Sequence, residues 1–274
     1  MKHWNMEDIP WADFEADKVD PELLRMAKAA SMVEHNGWAY ARYLSEVFHD
    51  DPEFIKVAWQ WAEEEVQHGQ ALARWAKLAD PNFDFDGAFE RFASKIKLPE
   101  GTRRSVRGSR TGELVARCVV EVGTSSYYSA LAHAAKEPVL KQICQKIAAD
   151  ELRHYKLFYQ SLKAYLKRER IGFWRRLWVA LGRVFESEDD ELAYAYYVAN
   201  DSAHGPYDRK RAARAYAQRA YGYYRYGHVE WGMAMVFKAL GLKPHSRLNR
   251  ALARGTYWFM RHRSQRLAAS AAAA

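Results

Sequence analysis

The sequence predicts an all-α protein, a four-helix bundle followed by additional C-terminal helices. Three observations predict it. Apolar residues recur with a 3.6-residue period over long segments, while strand-like alternation is weak throughout. Asp20-Pro21 stands at the start of the first periodic segment, where Asp caps a helix and Pro occupies its first position, and Pro-containing breaks at 49–52 and 80–82 punctuate the segments that follow. The long segments are joined by two short links with one long link between them.

The first helix is expected from Asp20-Pro21-Glu22 to about Phe48. His49-Asp50-Asp51-Pro52 is a tight break, and the second helix runs on to about Ala79. Asp80-Pro81-Asn82 stops it. A short amphipathic helix is expected from Phe85 to Ile96. The stretch from Leu98 to Arg110, rich in Gly, Arg and Ser, reads as a crossover loop. The third helix begins around Thr111-Gly112-Glu113 and ends near Lys136-Glu137-Pro138, and the fourth runs from Pro138 to about Arg168. Hairpin, long crossover, hairpin is the connectivity of ferritin-like bundles. Accessory helices are expected at 172–185, 190–200, 208–240 and 245–266, with a frayed tail from Leu267 onward. The expected division is a bundle over 1–171 and a basic helical extension over 172–274, packed on or beside it.

A chain of 274 residues can form one large domain, or a core domain with an extension. Its 49% hydrophobic and 28% charged residues are the balance of a soluble globular protein. No run of eighteen apolar residues exists, which excludes an expected transmembrane helix. Met1-Lys2-His3-Trp4 lacks the apolar core of a secretion signal. Cys118 and Cys144 fall in helical patterns, as in a reducing compartment without a disulfide framework. A cytoplasmic protein is expected. The net charge of +8 is unevenly placed: residues 172–274 carry 17 Lys/Arg against 8 Asp/Glu, and nothing acidic follows Glu230. An acidic partner or an anionic surface is expected there. No nucleic-acid-binding motif is present.

Two Glu-x-x-His motifs carry the chemistry. They are Glu65-Val66-Gln67-His68 and Glu151-Leu152-Arg153-His154. Each has a lone Glu upstream, Glu34 and Glu121, at offsets of 31 and 30 residues. About the bend near Asp50, Glu34 lies sixteen residues before, and Glu65 and His68 fifteen and eighteen after. About Glu137, Glu121 lies sixteen before, and Glu151 and His154 fourteen and seventeen after. In antiparallel hairpins these positions are level, and i,i+3 spacing puts Glu and His on one face. Six ligands of this kind, four carboxylates and two imidazoles, suit two iron ions and leave coordination positions open. Glu64 and Asp150, each preceding a ligand Glu, are placed to accept the ring N–H of the other hairpin's His. One such motif alone is ordinarily a solvated helix face. Two, with matched upstream glutamates, are not.

These residues resemble the soluble acyl-carrier-protein desaturases of the ferritin-like superfamily. Trp61-Ala62-Glu63-Glu64-Glu65-Val66-Gln67-His68-Gly69 is similar to that family's Trp-x-x-Glu-Glu-x-x-His-Gly. The segment from Gln142 to His154 resembles its fourth helix, and Glu121-Val122-Gly123-Thr124 its Glu-x-x-Thr. The resemblance covers about residues 55–165. It implies that Glu121 is a metal ligand, that Thr124 lies beside the oxygen site, and that Trp61 serves electron transfer or packing. It also implies O₂ as co-substrate, an external donor such as a ferredoxin or reductase, and a homodimer. The metal pair is left as Fe/Fe or Mn/Fe, with Fe/Fe favoured.

The expected function is O₂-dependent oxidation of an unactivated C–H bond in a hydrophobic, fatty-acyl-type substrate, ending in desaturation or hydroxylation. The substrate could ride on an acidic carrier protein. The alternative is an iron-binding ferroxidase without an organic substrate. Three further features are weighed. His228 and Glu230 are two residues apart and share no helix face, so a surface or core role is expected. Tyr127, Tyr128 and Tyr155 either line the pocket or pack. Phe173, Trp174, Leu177, Trp178, Leu181, Val184 and Phe185 form an apolar stripe flanked by Arg175, Arg176 and Arg183. It reads as an accessory helix, or as one that meets a membrane surface or a partner. Arg247, Arg250, Arg254 and Arg261, offset from Leu248, Leu252 and Phe259, make a basic amphipathic helix that either meets lipid headgroups, an acidic carrier protein or an acidic electron donor, or is a solvated face.

Overall fold

The apolar faces of long helices meet along one axis and leave a polar layer midway. The computed structural model describes residues 4–186 and 190–272. Its helices are α1 (Pro21–His35), α2 (Gly37–Val47), α3 (Pro52–Ala79), α4 (Phe85–Lys95), α5 (Arg110–Ala134), α6 (Pro138–Glu169), α7 (Phe173–Phe185), α8 (Asp190–Asn200), α9 (Arg209–Tyr223), α10 (Tyr226–Ala239) and α11 (Arg247–Ala272). Among the described residues there is no strand. The architecture is an all-α, ferritin-like bundle.

Local chemistry sets the helix starts. The Asp20 carboxylate accepts from the N–H groups of Glu22 and Leu23, and Asp51 does so from Phe54. Ser109 accepts from Gly112, and Glu137 from Val139 and Leu140. Each satisfies donors that the first turn leaves orphaned. α1 and α2 run back along α3, and α5 runs along α6. α8 lies on α1, while α7 and α10 lie on α5.

Two apolar clusters form the core. One gathers Leu23, Met26, Leu72, Trp75, Leu131 and Ile143, and takes Tyr196 from α8. The other gathers Leu44, Phe48, Phe54, Leu114, Phe158 and Leu162, and takes Ala180 and Leu240 from the C-terminal helices. Along α3, α5 and α6 the clusters part where the Glu and His residues fall, so the polar layer lies between two apolar ones.

Three expectations need correction. The first helix is interrupted at Asn36, whose N–H reaches the carbonyl of Val33 and whose ψ of 7° is not helical. Close packing explains the break. A Cβ on Gly69 would meet the His35 backbone N at 2.6 Å, and one on Gly37 would meet the Glu65 Cβ at 2.8 Å. Segment 208–240 is two helices, because Tyr224 and Arg225 are extended. The tail continues helical to Ala272, as an Ala-rich segment can; the last two residues lie outside the described ones.

Gly69→Ala is expected to destabilise the protein by about 1–3 kcal/mol, because backbone must move. Gly123, also helical, has nothing within 4 Å of a built Cβ. Gly123→Ala is expected to stabilise by about 0.5–1 kcal/mol. Denaturant unfolding of both variants would show the opposite signs; equal effects would refute the close-approach argument.

Candidate metal centre

The polar layer is built from four helices. Glu34 lies in the last turn of α1, Glu65 and His68 lie mid-α3, Glu121 mid-α5, and Glu151 and His154 mid-α6. All six are buried or nearly so, and their side chains converge. Glu34, Glu65, His68 and Glu151 each offer a ligand atom within 4.8 Å of the others, as do Glu65, Glu121, Glu151 and His154. Glu65 and Glu151 belong to both groups. Each group therefore draws three residues from one hairpin and one from the other.

Both imidazoles turn Nδ1 into the layer and Nε2 outward. His68 Nδ1 lies 3.3 Å from Glu151 Oε1 and 3.5 Å from Glu34 Oε2. His154 Nδ1 lies 3.0 Å from Glu65 Oε1 and 3.4 Å from Glu121 Oε2. On the outer side, His68 Nε2 is 3.1 Å from Asp150 Oδ2, and His154 Nε2 is 2.9 Å from Glu64 Oε2. Each histidine thus meets the carboxylate that precedes the other hairpin's motif. A neutral ring that donates through Nε2 presents an Nδ1 lone pair inward.

Buried polar atoms ordinarily find hydrogen-bond partners. Here a set of them does not: Glu34 Oε2, Glu65 Oε1, His68 Nδ1, both Glu121 oxygens, Glu151 Oε1 and His154 Nδ1. All belong to the six residues. Four carboxylates crowded in a buried layer are costly without counter-charge, and two divalent cations would supply it. Carboxylate and imidazole donors suit iron. The residues present fit a pair of such ions.

The proton affinities reflect the crowding. Burial, with Glu151 and Glu34 adding to it, drives Glu65 well above the usual carboxylate range. Burial, opposed by His154, pushes Glu121 up to about 7. Burial also works against the charge of Glu151, but His154 and His68 outweigh it and hold that carboxyl far below its ordinary value. Desolvation opposes charge on both histidines. The carboxylates around each outweigh it, and both rings stay well above the ordinary histidine value.

Thr124 stands one turn after Glu121. Its Oγ1 lies 2.6 Å from Glu151 Oε2 and 3.0 Å from the carbonyl of Glu121, so carboxylate and carbonyl compete for one hydroxyl proton. Trp61 is buried, with its ring edge-on to His154 at 6.5 Å and to Phe158 at 5.5 Å. Its Nε1 has no partner. His228 and Glu230 do not meet: the His228 ring stacks on His133, while Glu230 accepts from Asn249. Of the three tyrosines, only Tyr128 touches the site.

Three further residues support the site: Tyr128, weighed from sequence as pocket-lining or packing, and Arg153 and Trp4, which sequence reasoning gave no role. Tyr128 donates to Glu34 Oε1 at 2.6 Å and fixes that carboxylate. Arg153 reaches Glu64 Oε2 and Asp150 Oδ1, each at 2.7 Å, and ties the two outer carboxylates together. Trp4 donates from Nε1 to Asp150 Oδ2 at 2.7 Å, and its ring lies parallel to that of His68, 6.0 Å away. Arg153 sits inside a motif already singled out, so its charge was a usable signal. Trp4 is 146 residues from Asp150, and no spacing rule connects them.

A ferritin-like bundle with a buried histidine–carboxylate cluster able to hold metal defines the class. Within it, a family profile described as fatty acid desaturase matches residues 33–173, just over half of the chain, and the protein belongs to that family. The matched span holds all six converging residues and stops where α7 begins. No curated protein matches the chain.

Trp4→Phe keeps an aromatic ring over His68 but removes the donor to Asp150. It is expected to cost about 1.5–3 kcal/mol, the range for a hydrogen bond to a charged group. Thermal unfolding unchanged by the substitution would show that the N-terminal segment does not hold Asp150.

Proposed function

We propose that this protein is a di-iron oxidase of the acyl-carrier-protein desaturase type. On this reading it oxidises a C–H bond of a fatty-acyl substrate, by desaturation or hydroxylation, with O₂ and electrons from a ferredoxin-like donor. The observation that carries the reading is the pair of carboxylates, Glu65 and Glu151, common to two ligand groups and flanked by unsatisfied Nδ1 atoms. Membership of the fatty acid desaturase family supports the substrate class.

Glu34 and His68 would hold one ion and Glu121 and His154 the other, with Glu65 and Glu151 shared. Bound there, a pair of iron ions supplies O₂ activation and the oxidising power for an unactivated C–H bond. The chain's own residues prepare the site. Asp150 and Glu64 fix the ring orientation of the two histidines through Nε2. Tyr128 holds Glu34, and Arg153 balances the outer carboxylates. Thr124 carries a proton at Oγ1 beside Glu151 and can pass it inward. Trp61 and Phe158 close the layer on the His154 side and exclude water. Iron, rather than a manganese–iron pair, is the metal we favour.

Glu65→Ala and His154→Ala are expected to abolish loading of two irons per chain, measured by metal analysis after anaerobic reconstitution. Stoichiometric iron retained by either variant would refute the ligand assignment. The reconstituted, reduced protein is expected to consume O₂ and convert a carrier-bound acyl chain, read by mass spectrometry. O₂ uptake with iron oxidation but no acyl product would mark a ferroxidase instead.

Loading should also depend on pH. Against desolvation, the surrounding carboxylates hold both histidines above their ordinary range, and burial pushes Glu121 up to about 7. An ion must displace those protons, so affinity should rise as pH rises through about 7. Proton release measured calorimetrically in two buffers checks this; pH-independent affinity would contradict it.

A further inference from the structure

α7 carries an apolar strip that faces solvent. Trp174 and Trp178 are each 78% exposed, and Leu181, one turn on, is also exposed. The opposite side of the helix is anchored: Phe173 and Leu177 pack on the second apolar cluster, and Ala180 is buried in it. The strip is therefore not a helix face waiting to turn inward. Two tryptophans held outward in this way are far more apolar exposure than scattered surface residues account for.

A loop is clamped beside the strip. Arg175 Nη2 donates to the carbonyl of Gly108 at 3.0 Å. At the other end of α7, Arg107 pairs with both Glu186 oxygens at 2.6 Å. Ser105 is tied down through Glu113, and the N–H of Val106 through the Tyr43 hydroxyl. Between these anchors the Val106 side chain stands 60% exposed. Helix and loop form one preorganised platform.

Its surroundings are basic. Residues 97–110 and 167–183 together hold eleven Lys/Arg against two Glu. Of those two, Glu169 caps the N–H of Thr111 and Glu100 pairs with Arg42. Among the described residues, Arg103, Arg104, Arg170 and Arg175 make no ion pair. An apolar tryptophan strip set among unpaired arginines has the composition of a helix lying in the boundary between lipid headgroups and acyl chains. A second copy of the chain would bring like-charged platforms together. Among the described residues no helix is long and apolar enough to cross a membrane, so contact of this kind would be at the surface.

We propose that α7 and the 101–108 loop dock this protein onto an anionic lipid surface. Trp174, Trp178, Leu181 and Val106 enter the headgroup boundary, and Arg103, Arg104, Arg170 and Arg175 meet lipid phosphates. The inference rests on exposure, anchoring and charge alone. It stands or falls separately from the metal chemistry.

Vesicle co-sedimentation of the full chain tests it. Phosphatidylcholine vesicles containing phosphatidylglycerol should pellet the protein, and phosphatidylcholine alone should not. Added salt should weaken binding. Trp174→Ser with Trp178→Ser, and separately Arg103→Glu with Arg104→Glu, should each weaken it by about tenfold or more. All four sites are exposed, so circular dichroism and unfolding should match the unaltered chain. Binding to both vesicle types alike would overturn the proposal, as would variants that bind as well as the original. So would a platform that captures an acidic acyl carrier protein but no vesicle. A dimer in sedimentation velocity that the tryptophan pair variant dissociates would overturn it too.

Discussion

The constraint on which the rest depends is electrostatic. Glu34, Glu65, Glu121 and Glu151 are buried at one level of a helical bundle, with an apolar cluster on either side. Such a layer is unstable alone. The cations that bear on it among the described residues include the two imidazoles, Arg153 beside Glu64 and Asp150, and Arg117, which lies one turn before Glu121 and lowers its proton affinity. Much of the surrounding structure answers that imbalance. Asp150 and Glu64 keep the imidazoles turned inward, Arg153 neutralises those outer carboxylates, and Tyr128 takes one oxygen of Glu34. What is left unanswered is a set of inward-pointing lone pairs, the condition for a cation site.

Helix periodicity explains why this layer was legible. Glu65 and His68 share a face because a helix turns 3.6 residues, and the hairpin bends put Glu34 and Glu121 at the same height. The exchange of His68 and His154 with the carboxylates of opposite hairpins follows from the same arithmetic. Tyr128 and Trp4 were not legible in this way. Tyr128 is one of many tyrosines on apolar helix faces, and only the distance to Glu34 distinguishes it. Trp4 reaches Asp150 through an irregular segment whose path no periodicity encodes.

The helix interruption at Asn36 had a different source. Apolar spacing continues across it, so the pattern reads as one helix. The break is set by how near α3 can come. Gly69 lets the backbone at His35 approach, and Gly37 lets the next turn sit against Ala62 and Glu65. Tertiary contact here overrides local preference, and it does so beside Glu34. The split at Tyr224-Arg225 lies in the C-terminal layer, where helices pack on the outside of the bundle and small angular changes are tolerated. Neither break moves the four central helices out of register.

Glu65 and Glu151 come from different hairpins, yet each serves both ligand groups. The two hairpins are thereby joined like the halves of a clasp. Neither group is complete within one hairpin, so a substitution at Glu65 or Glu151 would strip a donor from both at once.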